Sequence, residues 1–214
     1  FTGYQQKRRS NRIISVKNEL LKQANDDINS SIRYAQRIQQ AVIPAQNLLD
    51  ELLGEHFVIF RPKDVVSGDF YWATRVHQWL VVTVADCTGH GVPGAFMSML
   101  GISFLNEIVR KKEVVSPAQI LNELRSAVID ALRQTAERDS QKDGMDMSLA
   151  SINLETGQCL WAGAGNPLWV VRHDASADSH DDPADMVEVI KGDSMPVAIH
   201  KGMRDFSEQE MQLL

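Results

Sequence analysis

The chain's 214 residues are 43% hydrophobic and 23% charged, a globular composition with room for one sizeable core, which excludes a low-complexity or disordered chain. Its formal net charge of −6 offers no overall field for nucleic acid, so no nucleic-acid partner is expected. That charge is unevenly placed: residues 1–44 hold eight Lys/Arg and three Asp/Glu, net +5, while the other 170 hold 14 and 25, net −11. Only Cys87 and Cys159 are present, with no CxxC pair, so a disulfide scaffold is excluded and a cytoplasmic location is expected. No signal peptide is visible, and the uncharged stretch from Gly89 to Asn106 contains His90, Pro93 and several glycines, which argues against a membrane span. Because the first residue is Phe1 rather than Met, a piece of a longer protein is expected.

In chain order, residues 11–43 read as one helix. Ile14, Leu21, Ile28, Ala35 and Val42 recur at every seventh position, with Ala24 and Ile38 on a second seam that Lys17 and Ser31 weaken. A stripe of this length predicts a coiled coil, and hence a homodimer; a long amphipathic helix packed on its own domain is the alternative. Pro44 ends it. Before it, Lys7, Arg8, Arg9 and Arg12 form either a solvated face or the cytoplasmic flank of an upstream membrane or sensor segment. Residues 1–44 are therefore expected to form a basic linker and helix, and 45–214 the body.

Strands are expected at His56–Arg61, Gly68–Thr74 and Trp79–Asp86, each rich in β-branched and aromatic residues. An apolar helix follows from Pro93 to about Lys111. Ser116-Pro117-Ala118-Gln119 supplies an N-cap, a first-turn proline and a capping-box glutamine for a helix ending near Asp139. Further strands are expected at Met147–Asn153, Gln158–Ala162 and Leu168–Arg172, with Gly163–Pro167 as a turn, and His173–Asp185, with five Asp, as a polar loop. Strands in runs, separated by two helices, predict an α+β fold with antiparallel sheets.

Two segments carry candidate chemistry: Ser67-Gly68-Asp69-Phe70-Tyr71-Trp72, and Val84-Ala85-Asp86-Cys87-Thr88-Gly89-His90-Gly91. Each sets a carboxylate at a strand or its end beside a glycine that admits close backbone approach. Hard divalent cations take oxygen ligands, so two such carboxylates could begin a Mg²⁺ or Mn²⁺ site. A turn cap and a strand-to-helix turn are the plainer alternatives.

Together with Arg37-Ile38-Gln39-Gln40-Ala41-Val42-Ile43-Pro44 and Asp86-Cys87-Thr88-Gly89-His90-Gly91-Val92-Pro93-Gly94-Ala95, the Ser67–Tyr71 motif resembles the SpoIIE/RsbU-like branch of the PPM metal-dependent protein phosphatases. Ala162-Gly163-Ala164-Gly165-Asn166-Pro167 is similar to that family's Ala-Gly-His-Pro turn, with Asn166 where His is usual. The resemblance spans roughly residues 34–214. It implies an α-β-β-α sandwich of antiparallel sheets with two Mn²⁺ or Mg²⁺ ions at one end. Asp69 would be the first metal ligand, Asp86 the shared ligand and the Cys87 carbonyl the backbone ligand. The ions, about 3.5–4 Å apart, would activate a water for in-line attack on phosphorus.

The resemblance further implies hydrolysis of phosphoserine or phosphothreonine on a regulatory protein, in this branch an anti-sigma-factor antagonist. Input would pass along the 11–43 helix through an element near Gln39–Pro44. His90 is a candidate proton donor, or else bonds a turn; Lys63 is a candidate contact to phosphate, or else a solvated strand-end lysine. Asp143 and Asp146 are a possible outer shell. The family's remaining ligands, in a Ser/Thr-Asp-Gly motif and a final Asp-Asp strand, are missing by Glu210-Met211-Gln212-Leu213-Leu214. The domain is therefore expected to be C-terminally incomplete, lacking its last strands and ligands, and weakly active or inactive. The competing expectation is a catalytically incomplete dimerisation or partner-binding module.

Overall fold

The computed structural model describes residues 2–135, 142–171 and 187–213. Helix α1 (Thr2–Val42) runs 41 residues, about 60 Å at 1.5 Å per residue. It starts earlier than expected, so the basic cluster lies inside the helix rather than in a linker. Among the described residues of α1, Gln39 alone is buried. Ile14, Leu21 and Ile28 are 55%, 67% and 59% exposed, so the heptad stripe is not packed on the chain's own body.

After the short helix α2 (Gln46–Leu53) come β1 (Phe70–Val76), β2 (Trp79–Cys87), α3 (Gly91–Leu105), α4 (Pro117–Leu132), β3 (Met145–Asn153), β4 (Gln158–Ala164), β5 (Leu168–Val171), β6 (Val187–Ile190) and β7 (Gln209–Gln212). Strands β1-β2-β3-β4-β7 form one antiparallel sheet in that order; β5 and β6 form a second, two-stranded one. The alternation of strand residues sets the layers. Phe70 and Trp72 of β1, Val81 and Ala85 of β2, and Met147 and Leu149 of β3 join α3 and α4 in the core. Tyr71, Val82, Val84 and Ala150 line the opposite face, along a cleft of about 360 Å³.

His56–Arg61, expected as a strand, is not one. Phe57 and Ile59 stand 85% and 77% exposed beside that cleft; an apolar, β-prone run without a ladder partner does not make a strand. Strands β6 and β7 were not anticipated. Their short, mixed-polarity sequences carry little periodicity, and pairing with β5 and β4 fixes them instead. The apolar helix expected to about Lys111 is α-helical to Leu105 and continues as a π-helical turn, Asn106–Lys111. That turn aims Asn106 at the Trp72 indole N–H (3.2 Å) and Arg110 at the Thr74 hydroxyl (3.0 Å). The combined segment Gly91–Lys111 is long and apolar enough to cross a membrane, but Ala95, Ile102, Leu105 and Val109 are core residues.

Ser116 caps α4, its Oγ accepting from the Gln119 N–H at 3.3 Å. The expected reciprocal glutamine bond is absent: Gln119 donates to Glu123, and Glu208 instead takes bonds from the Ser116 hydroxyl and the Ala118 N–H. Helix α4 ends at Leu132, short of Asp139, because Arg133 adopts a left-handed backbone (φ 49°). The expected polar loop at His173–Asp185 lies outside the described residues.

The C-terminal segment is tied down through Asp193, 6% exposed. Its carboxylate accepts from Arg204 (2.7 Å), the Ser207 N–H (2.7 Å) and the Ser207 hydroxyl (2.8 Å). Burial works to raise this carboxyl, but the Ser207 N–H and Arg204 bonds more than offset it and hold it below the usual range. Asp193→Ala is expected to cost about 2 kcal/mol, lowering Tm by roughly 4–8 °C. Because the folded-state pKa is depressed, that difference is present at neutral pH and is lost as pH falls through the acid range below 4. Thermal melts of both proteins across pH check it.

Candidate metal centre

The site forms where two loops meet backbone to backbone. A Cβ on Gly68 would lie 2.7 Å from the Gly89 carbonyl oxygen and 3.2 Å from that of Cys87; one on Gly94 would lie 2.7 Å from the Gly89 oxygen. Only glycine permits this approach, and Gly89 and Gly91 also hold left-handed angles (φ 87° and 62°). The Thr88 N–H donates to the Gly144 carbonyl (2.8 Å), and the Gly144 N–H to Thr88 Oγ1 (3.1 Å). The end of β2, the turn after it and the start of β3 are therefore one interlocked unit.

Phe70 pairs with Ala85, and Asp86 pairs with Asp146. Antiparallel partners share a face, so Asp69, Asp86 and Asp146 line up across neighbouring strands, about 4.8 Å apart, on the face away from α3 and α4. Burial, then the Asp86 charge and a hydrogen bond to Asp86, push the Asp69 carboxyl up. Burial and then the Asp86 charge push Asp146 up. All three remain on the exposed surface. Being a row, they do not surround one point, and among the described residues no three His, Cys, Asp or Glu side chains converge on a single ion position.

The donor set nevertheless suits hard divalent cations: carboxylates and carbonyls, in a cradle that a Cβ at Gly68 would fill. Asp69 and Asp86 are within hydrogen-bonding reach of each other, and the Cys87 carbonyl opens onto the same cradle. The Cys87 thiol is buried, and burial followed by the charges of Asp69 and Asp86 pushes it far above its ordinary value. It is not a thiolate nucleophile.

Other expected site residues are dispersed around this unit. His90 precedes α3, with Nδ1 2.8 Å from Asp64 Oδ2. Lys63 lies in the neighbouring exposed loop. Asp143 contributes its backbone carbonyl to a bond from Gln134, whereas Asp146 backs directly on Gly165, where a Cβ would fall 2.5 Å from its Cγ. Asn166 donates to the Asp146 carbonyl (3.2 Å), which ties the Ala162–Pro167 turn to the carboxylate row. Asp64 and the hydrogen bonds of Gln39 were not anticipated; pairing of Asp64 with a histidine 26 residues away leaves no mark in sequence spacing.

The fold is that of a PP2C-type phosphatase domain. The sequence model of stage II sporulation protein E (SpoIIE) matches residues 77–214, and the chain belongs to the SpoIIE family. Among solved structures, the SiaA-PP2C domain of Pseudomonas aeruginosa matches with a TM-score of 0.70 at 31% identity, over 89% of this chain and 69% of that one. The PP2C phosphatase domain of SpoIIE from Bacillus subtilis, with a fragment of its regulatory domain, matches with a TM-score of 0.51 at 19% identity, over 70% of this chain and 39% of that one. A comparison with curated proteins finds no match.

Proposed function

We propose that the chain is the output domain of a bacterial signalling protein, a Mn²⁺- or Mg²⁺-dependent phosphatase acting on phosphoserine or phosphothreonine of a regulatory protein. The observation that carries this reading is the placement of Asp69, Asp86 and the Cys87 carbonyl at one sheet end, on interlocked glycine loops, in a chain of this family. These groups would hold the metal, which when bound supplies Lewis-acid polarisation of the phosphoryl oxygens and an activated water. Asp86, central in the row, would be the shared metal ligand, and Asp146 beside it would be an outer acceptor. His90 donates a proton to the departing seryl oxygen, and Lys63 meets the phosphate. By family likeness the substrate is an anti-sigma-factor antagonist.

Phosphate release from a phosphoserine peptide that requires Mn²⁺ and is lost in Asp69→Ala supports this reading; metal-independent release overturns it. The lack of a three-group ion position among the described residues favours a second reading, a dimerising partner-binding module. A folded, metal-binding dimer that hydrolyses no phosphopeptide would establish that instead.

Helix α1 would serve as dimeric input. Its apolar stripe is exposed while its last turns reach the site loop through Gln39. Its basic start, Lys7 to Arg12, would sit on the cytoplasmic side of a membrane anchor or next to a sensor. Light scattering is expected to give twice the chain mass for wild type and the monomer mass for Leu21→Glu/Ile28→Glu. A monomeric wild type at micromolar concentration would sink the coiled coil.

A further inference from the structure

We propose that Asp64 is a positioning residue for His90: its carboxylate holds the imidazole by Nδ1 and leaves Nε2 as the free working atom on the turn that follows Asp86 and Cys87. The inference rests on the phosphatase reading and on His90 as proton donor. His90 lies between two left-handed glycines, Gly89 and Gly91, in an extended conformation (φ −132°, ψ 173°), and its side chain makes no capping bond to α3, the helix it precedes. What holds the ring is Asp64, with Oδ2 2.8 Å from Nδ1. The same oxygen lies against the first residue of α3, 3.5 Å from where a Gly91 Cβ would be, and a helix N-terminus favours a carboxylate there.

The His90 and Asp64 side chains are 68% and 43% exposed. An ion pair that open contributes little to folding, yet it leaves the ring accessible to a substrate. Its consequence is chemical. A carboxylate at Nδ1 requires Nδ1–H, so the neutral ring carries its lone pair on Nε2, and the protonated ring presents Nε2–H. As the phosphorus–seryl oxygen bond breaks, its electron pair stays on the oxygen, which takes the Nε2 proton. A water oxygen forms the new bond to phosphorus and gives up its proton to solvent, from which the ring is reprotonated. Asp64 takes no proton; it orients the ring and fixes which nitrogen faces outward.

A double-mutant cycle on Mn²⁺-dependent phosphoserine-peptide hydrolysis tests the assignment. Asp64→Ala is expected to lower kcat by roughly 10- to 100-fold with KM within about twofold, and His90→Ala by roughly 10²-fold or more. In the His90→Ala background, Asp64→Ala should cost nothing further; additive losses would overturn the proposal. Long-range ¹H–¹⁵N correlation of the metal-free chain near pH 8, above the ordinary histidine pKa, gives a readout that needs no turnover. Wild-type His90 should show the Nδ1–H tautomer, and Asp64→Ala the Nε2–H tautomer preferred by free histidine; an unchanged tautomer rejects the assignment. If wild type hydrolyses nothing, the phosphatase reading fails, while the tautomer result still decides what Asp64 does to His90.

Discussion

Asp86→Asn is expected to reduce Mn²⁺-dependent phosphate release by roughly 10³-fold, about 4 kcal/mol of transition-state stabilisation, while making the metal-free chain more stable. Both effects follow from its central place in the row. Asp86 raises the carboxyls of Asp69 and Asp146, in each case after burial, so without a cation it is a source of repulsion. With a cation it is the carboxylate best placed to be shared, and an amide in its place keeps the shape but loses the charge. The metal-free Tm should rise by about 1–2 °C, the scale of a screened surface charge contact.

The pH dependence has a definite sign. Groups whose carboxyls are raised in the folded state contribute stability at low pH that is lost as pH rises through their folded-state values. The metal-free wild type should therefore lose stability between acid and neutral pH at this site, Mn²⁺ should restore it, and Asp86→Asn should flatten both trends. Thermal melts with and without Mn²⁺ at pH 4 and pH 7 measure this. A variant that keeps the full Mn²⁺-induced rise in Tm would remove Asp86 from the site.

How far the sequence could be read depended on whether a feature was local. The glycines beside Asp69 and Asp86 were legible because no other residue fits where Gly68 and Gly94 meet the Gly89 carbonyl. Ser116 was legible because an N-cap bonds within its own first turn. What could not be read was tertiary. The place that the capping-box glutamine should have filled went to Glu208, some ninety residues away. Asp146, named with Asp143 as an outer-shell candidate, is set apart from Asp143 only by the register that places it opposite Asp86. The apolar run His56–Arg61 had the composition of a strand but no ladder partner. The heptad stripe on α1 was read from periodicity, and its exposure along the helix rules out packing on its own body.

Gln39→Ala is expected to cost about 3 kcal/mol and to weaken Mn²⁺ binding, although Gln39 touches neither a carboxylate of the row nor its cradle. Its Nε2 donates to the Ser67 carbonyl (2.6 Å) and to Ser98 Oγ (2.8 Å), and its Oε1 accepts from the Ser67 N–H (3.1 Å). Gln39, Ser67 and Ser98 are 3%, 5% and 0% exposed. Truncation would leave both backbone groups of Ser67 without their Gln39 partner away from water, and each unmade buried bond costs about 1–3 kcal/mol. The Tm should fall by roughly 6–12 °C. Ser67 stands two residues before Asp69, and Ser98 lies on α3, so one amide ties α1 to the loop bearing a proposed ligand and to the helix behind it. Rotating or shifting α1 would have to break these three bonds together. Gln39→Glu, close in shape but without the N–H donors, separates packing from hydrogen bonding and should cost nearly as much as alanine. Calorimetric Mn²⁺ titration alongside thermal melts distinguishes the outcomes: a lower Tm with unchanged Mn²⁺ affinity would make Gln39 a purely structural clamp, and a loss of both would make it the link between helix and site.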